Sequence, residues 1–456
     1  MFKVNTARED ALFNEYLTLL RQMIKNQCVN TGAPDSGHEI RSVETLIEFF
    51  KGYGLEGEVF TPRKGRSSLL ITLPGSDPGA PCLMLMGHMD VVPVDADSWT
   101  HDPFGAEIAE GRLWGRGALD MLGQTAVMAA VIADIYASGV KFPGTLKFLA
   151  VADEEAAGIW GAKYLVENHW DRVAADYMLT ELGGFYLDLP GHPKATFTLG
   201  EKGVTQLRLS ATGQASHGSL PFGAENAALK LAEGMTLLGK NPPPAITAGL
   251  YTEMVKKLAL PSGLESRLTD PLTIDDALFE LGITNPGSAR ILHACSRMTI
   301  SPNLIQAGSK VNIIAGSGYM EIDIRTLPGQ DESDWEQHIS SVLGSLGADF
   351  QLEVLESVSS TSSEVDTPLM AACRASVRET DPDIELVPML TSVATDGRFW
   401  REKGSVVYGF SLYSRELTID KGFSMIHGPD ESVSLESLRR QLNFYRDIPG
   451  RFFEMV

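Results

Sequence analysis

The sequence predicts an α/β fold: a mostly parallel sheet flanked by helices, with a smaller α+β domain inserted into it. Three observations point there. Through the first 195 residues, short apolar runs alternate with amphipathic segments, the rhythm of strands joined by crossover helices. Near Lys194 the texture changes to alternating apolar and polar residues, followed by a β-α-β-β-α-β order suited to a separate α+β unit. After the polar stretch SVSSTSSE (357–364), helix and strand alternate again. The expected division is 1–195 and 358–456 as two parts of one catalytic domain, and 196–357 as an inserted lid.

Each element has its own signal. Glu9 to Lys25 places Leu12, Tyr16, Leu19, Leu20 and Met23 at helical spacing, and Arg41 to Gly52 does the same with Val43, Leu46, Ile47 and Phe50. Ser68 to Leu73 and Cys82 to Met86 are apolar runs bounded by Pro and Gly, as buried strands are. Asp120 to Ser138 reads as a long helix stopped by Gly139. Gly144 to Ala152 and Asp176 to Thr180 read as strands, with a helix from Ala157 to Asn168 between them. Thr196 to Thr212 alternates like half-exposed sheet. A helix at Glu225 to Leu238, two strands in Lys310 to Thr326, a helix at Asp334 to Leu346 and a strand at Asp349 to Leu355 complete the lid. Gly239 to Gln306, rich in Pro and Gly, reads as an insertion. Met370 to Arg378, Ser405 to Gly409 and Ser434 to Asp447 resume the alternation.

Composition narrows the function. The 456 residues suit two or three folding units. A net charge of −21 repels phosphate backbones and anionic lipid, so neither nucleic acid nor a membrane surface is expected as a partner. No uncharged apolar run approaches the length of a spanning helix. The opening MFKVNTAREDALFNEY carries charges where a signal peptide holds an apolar core, so a cytoplasmic protein is expected. Cys28, Cys82, Cys295 and Cys373 are scattered and form no CxxC pair, which argues against a thiolate metal site and against a disulfide framework.

The chemistry lies at strand ends. LMLMGHMDVVP ends a strand in His88 and Asp90, and GRGALDMLG puts Asp120 at a helix start. FLAVADEE ends in Glu154 and Glu155, YMLTELGG in Glu181, and MIHGPDE carries His427 after a short apolar run. Ligands of open α/β sheets gather beyond the carboxyl ends of strands, so these elements converge on one rim. Imidazole and carboxylate suit zinc. Five ligands exceed one tetrahedral ion with an open position. Two Zn²⁺ ions sharing a carboxylate and a water use all five, balance the charge, and leave one glutamate of the Glu154–Glu155 pair as a base. Which of the two binds metal is open at this level. Taken singly, Asp120 is a good helix N-cap and His427 an ordinary surface histidine; the set together implies a metal centre.

GHMDVVP, GRGALDMLG, VADEE, TELGG and IHGPDE, in this order, resemble the di-zinc amidohydrolase and exopeptidase family that includes acetylornithine deacetylase, succinyl-diaminopimelate desuccinylase, aminoacylase, carboxypeptidase S and glutamate carboxypeptidase (peptidase family M20). The likeness spans nearly the whole chain, and TELGG sits nearer the carboxypeptidase S and aminoacylase branch. The resemblance implies that Asp120 bridges two Zn²⁺ ions, for which Co²⁺ or Mn²⁺ could substitute. His88 and Glu181 then complete one site and Glu155 and His427 the other. Glu154 becomes the general base, Asp90 holds His88 in its ligating tautomer, and the peptide bond after Asp120 is cis. In the lid, the resemblance makes His217 (GQASHGSLP) an oxyanion donor that often reaches across a homodimer. It gives Asn312 and Arg325 the substrate carboxylate, and Arg398 (TDGRFW) a place in the pocket. Arg325 also has a plainer reading, an ion pair with Asp323 or Glu321. The implied activity is hydrolysis of an amide bond in a small carboxylate-bearing substrate such as an N-acyl amino acid. The alternatives are a dipeptidase or C-terminal carboxypeptidase using the same chemistry, or a non-catalytic binding protein on the same fold.

Overall fold

The computed structural model describes residues 6–189 and 191–456. A ten-stranded sheet forms its centre. Strands Leu146–Val151, Leu83–His88, Tyr177–Thr180 and Val406–Gly409 lie side by side and parallel. Antiparallel strands Glu58–Arg63 and Arg66–Leu73 extend one side, and Lys194–Glu201 runs antiparallel on the other. The sheet is thus mixed, with its parallel part in the middle. That middle is where the site forms, because parallel neighbours bring their carboxyl ends to the same rim.

Helices cover both faces. Leu122–Ser138 is buried along nearly its whole length and packs with Thr6–Lys25 and Leu435–Met455 against one face. Its apolar run ends as expected at Gly139, whose φ of +71° closes the helix in the left-handed region. The other face is covered around Trp400, Leu165 and Val173.

The chain leaves the large sheet after Glu201 and pairs with it again at Thr361–Ser362. Between these points lies a four-stranded antiparallel sheet in the order Thr299–Ala307, Ser317–Thr326, Gly203–Thr212, Phe350–Val358. Helices Ala227–Lys240 and Glu332–Leu343 close its core. The expected alternation over Thr196 to Thr212 divides here. Lys194–Glu201 is buried throughout in the large sheet, and only Gly203–Thr212 alternates. The break falls at Lys202, whose buried ammonium donates to the carbonyls of Ala294 and Arg297.

The 239–306 stretch contains four short helices between Leu250 and Ser296, packed on strand Glu385–Thr391, and then strand Thr299–Ala307. Among the described residues, no helix is long and apolar enough to cross a membrane. All four cysteines are free.

Candidate metal centre and catalytic cleft

His88 ends its strand with a side chain 1% exposed. Its Nε2 lies 3.2 Å from Asp120 Oδ1 and 3.6 Å from Glu181 Oε2. On the opposite side, His427 Nε2 lies 3.4 Å from Asp120 Oδ2 and 3.1 Å from Glu155 Oε2. The two oxygens of Asp120 therefore face two different imidazoles, and each imidazole meets one further carboxylate. Donor atoms of His88, Asp120 and Glu155 lie within 4.8 Å of one another, as do those of His88, Glu154 and Glu181. Six of the seven side chains expected at the rim, all but Asp90, are brought together there, and the Asp120–Met121 peptide is cis.

Asp90 sits behind this group with a different geometry from the expected one. The nearer partner of His88 Nδ1 is the Asp90 main-chain oxygen at 3.0 Å, with the carboxylate 3.7 Å away. The carboxylate instead accepts from the backbone nitrogens of Glu154 and Glu155 and from Asn30 Nδ2. It thus fixes the turn that carries both glutamates, while a carbonyl selects the tautomer that leaves Nε2 free for a ligand.

The electrostatics fit divalent cations. Burial and then the Glu181 charge push the Glu154 carboxyl well above its ordinary value. Burial, then Asp120, push Glu155 up to about 7. For Asp120 burial acts upward, but His427 and His88 outweigh it and hold the group low. Hydrogen bonds to Asp120 and Glu155 lift His427 to about 10. Four carboxylates around two imidazoles are an excess of buried negative charge that the protein itself does not neutralise. Metal ions held by His, Asp and Glu donors would do so. Replacing Asp120 or His88 with alanine is therefore expected to abolish stoichiometric metal binding, as measured by elemental analysis of the reconstituted protein.

A cleft of about 560 Å³ opens over this group. Asp120, Glu154, Glu155, Glu181 and His427 line it, with Arg325 and Val358 from the smaller sheet and Arg398 from the large unit. Arg325 carries the plainer of its two readings as well: its fork pairs with Asp323 at 2.7 and 2.9 Å, and Nη1 reaches the Ser392 carbonyl. Arg398 donates from Nη1 and Nη2 to the main-chain carbonyls of Thr395 and Ala157, which ties this cleft-lining residue to the glutamate turn. His217 and Asn312 do not line the cleft. They share an exposed two-stranded ribbon, built from segments far apart in sequence, in which Gly218 N donates to the Asn312 carbonyl and His217 Nδ1 meets Ser219 Oγ.

Two contributors, Asn30 and Arg66, had no sequence signal, and Glu431 stood only as the last letter of IHGPDE; all three are buried around the rim. A fourth, Asp396, was noted only as part of a pocket loop. Its carboxylate is buried with no hydrogen-bond partner among the described residues, against Gly158, where a Cβ would lie 2.2 Å from Oδ1.

Residues 84–450, most of the chain and every residue of the rim, match the model of peptidase family M20/M25/M40. The chain belongs to this family. It is accordingly a hydrolase of the M20 type. It is 28% identical over 397 residues to a probable carboxypeptidase S-like 2 of Dictyostelium discoideum, covering 83% of this chain and 73% of that protein. It is 26% identical over 388 residues to the human N-fatty-acyl-amino acid synthase/hydrolase PM20D1, covering 83% and 75%. Its fold matches that of the M20 family metallo-carboxypeptidase Sso-CP2 from Sulfolobus solfataricus, with a TM-score of 0.71 at 18% identity over 96% of this chain and 98% of that one.

Proposed function

We propose that this M20 hydrolase is a di-zinc amidohydrolase that cleaves the amide bond of a small N-acyl amino acid or similar carboxylate-bearing substrate. The observation that carries the reading is Asp120, whose two oxygens face separate imidazoles, each with its own second carboxylate. Asp120 would bridge the ions, with His88 and Glu181 holding one and Glu155 and His427 the other; Co²⁺ or Mn²⁺ could replace Zn²⁺. Such ions, when bound, supply Lewis acidity to a scissile carbonyl and acidify water in the cleft. Glu154 takes the proton from that water and returns it to the departing amine. Arg325, in exchanging Asp323 for the substrate, would offer its fork to the substrate carboxylate, a bidentate match.

His217 and Asn312 lie off the cleft, so an oxyanion contact from His217 and a carboxylate contact from Asn312 require the 196–357 lid to close, or a second copy to present its lid in a homodimer. The free cysteines support a reducing, cytoplasmic setting.

Similarity to PM20D1 supports the N-acyl amino acid class. Similarity to the carboxypeptidase S-like protein favours the second reading, a C-terminal carboxypeptidase or dipeptidase with the same chemistry. The test is metal-reconstituted protein offered N-acyl amino acids and dipeptides, with released amine measured. Turnover of the first set is expected; turnover of dipeptides alone establishes the second reading, and turnover of neither overturns both. Arg325→Gln is expected to raise KM for carboxylate substrates about 10–100-fold, the worth of a charge-assisted hydrogen bond, and to leave their carboxamide analogues unaffected. An equal loss for both would remove Arg325 from carboxylate recognition.

A further inference from the structure

Behind the rim lies a buried polar network that the catalytic reading uses only at Asp90. Arg66 starts the strand Arg66–Leu73, next to the strand whose end carries Glu154 and Glu155. Its side chain is 3% exposed. Nη1 lies 2.5 Å from Glu39 Oε1 and 3.4 Å from Asp153 Oδ1, and Nη2 donates to Asn30 Oδ1 at 2.8 Å. Asn30 passes the connection on: its Nδ2 donates to Asp90 Oδ2 at 2.8 Å and to Asp153 Oδ1 at 3.1 Å. Asp90 then accepts from the Glu154 nitrogen at 3.2 Å and the Glu155 nitrogen at 3.0 Å. Asp153 Oδ2 accepts from the Trp160 nitrogen at 2.9 Å across the same turn.

This turn needs holding. Asp153 and Ala157 have φ of +70° and +73°, a left-handed conformation that residues with a side chain seldom adopt unless their surroundings impose it. The backbone also gives way to the guanidinium. Gly37, at φ +84°, has no Cβ where one would lie 1.9 Å from Arg66 Nη1. A buried fork that spans two acceptors, reached past a glycine and ending on the two residues that carry the chemistry, is an arrangement for fixing direction rather than for filling space.

We propose that Arg66 and Asn30 are positioning residues that hold Glu154 in line with the water it deprotonates, acting through Asp90 and Asp153. The proposal rests on the reading of Glu154 as the base, and a double-mutant cycle separates the two. Lysine keeps the charge of Arg66 but has no fork to span Glu39 and Asn30. Arg66→Lys is expected to keep its circular dichroism spectrum and its bound metal and to lose about 10–100-fold in kcat. KM is expected to stay within about twofold, since substrate binding is untouched. In a Glu154→Gln background the same substitution is expected to cost nothing further, because residues that act as one unit are not additive.

Losses that multiply in the double variant, an unchanged kcat in Arg66→Lys, or loss of metal would each overturn the positioning role while leaving Glu154 as the base. Wild-type kcat in Glu154→Gln alone would remove the base and the proposal with it. Should Arg66→Lys fail to fold, Asn30→Ala removes the donors to Asp90 and Asp153 without altering a charge, and the same cycle and the same outcomes apply.

Discussion

Replacing Glu154 with glutamine is expected to lower kcat by about 10²–10⁴-fold, the usual worth of a positioned proton shuttle, and to leave the metal content unchanged. The pair Glu154–Glu155 is ambiguous in sequence, since neighbours on a strand point to opposite faces. One contact distinguishes them. Glu155 shares an imidazole with Asp120, lying 3.1 Å from His427, as ligands of one ion do. Glu154 and Glu155 both line the cleft and each lies within 4.8 Å of His88 and one further carboxylate, but only Glu155 also meets His427, which supports reading Glu154 as the base. Burial, followed by the Glu181 charge, raises its proton affinity, which suits a group that must take a proton from water and give it up to an amine. Glutamine preserves shape and removes only that capacity. Elemental analysis and steady-state kinetics on the same preparation check it. Glu155→Gln serves as the contrast and is expected to lose metal. Full turnover in Glu154→Gln would place the base elsewhere.

What the sequence made legible follows from physical signals that survive in one dimension. His88, Glu154, Glu155 and Glu181 each close an apolar run, and an apolar run of strand length ending in a histidine or a carboxylate is a pattern that a bare string can carry. The helix Leu122–Ser138 was equally plain, because burial on all sides leaves it apolar all round. Other features leave no such trace. Strand Glu385–Thr391 contains Pro388, which reads against a strand; the structure accommodates it because this strand pairs on one side only, with Lys194–Glu201. The helices between Leu250 and Ser296 run 7 to 11 residues each, too short for their periodicity to stand out from the Pro and Gly between them. Asn30 and Arg66 are invisible for a different reason, and Glu431 shows only as a letter in IHGPDE with no role attached. A buried polar residue whose partners lie far away in sequence has no local pattern, and those partners are defined only once the chain has folded. His217 and Asn312 mark the opposite case, motif residues that the structure leaves together but outside the cleft.

Glu431 is where the second large effect is expected. Its side chain is wholly buried, and one carboxylate does the work of four contacts. Oε1 accepts from the Leu119 and Asp120 nitrogens at 2.8 and 3.0 Å; Oε2 accepts from the Gly117 nitrogen at 3.0 Å and from Arg116 Nη1 at 2.8 Å. Arg116 in turn donates to the Gly428 carbonyl. Glu431 lies four residues past His427, so this carboxylate ties the loop that presents Asp120 to the segment that presents His427. Glutamine fits the space but turns one acceptor into a donor that faces donors, and it leaves Arg116 without its counter-charge. Breaking a buried pair in this way costs about 3–5 kcal/mol. Because the loss falls on the geometry between Asp120 and His427, metal affinity is expected to drop about 10–100-fold as well. Urea unfolding of the metal-free protein reads the first effect, and Zn²⁺ titration of the folded protein reads the second. A fall in stability with metal affinity intact would mean that the two ligands find their spacing without Glu431, since an ion that binds only the folded chain adds stability that grows with the logarithm of its affinity and would then restore the same increment to both proteins.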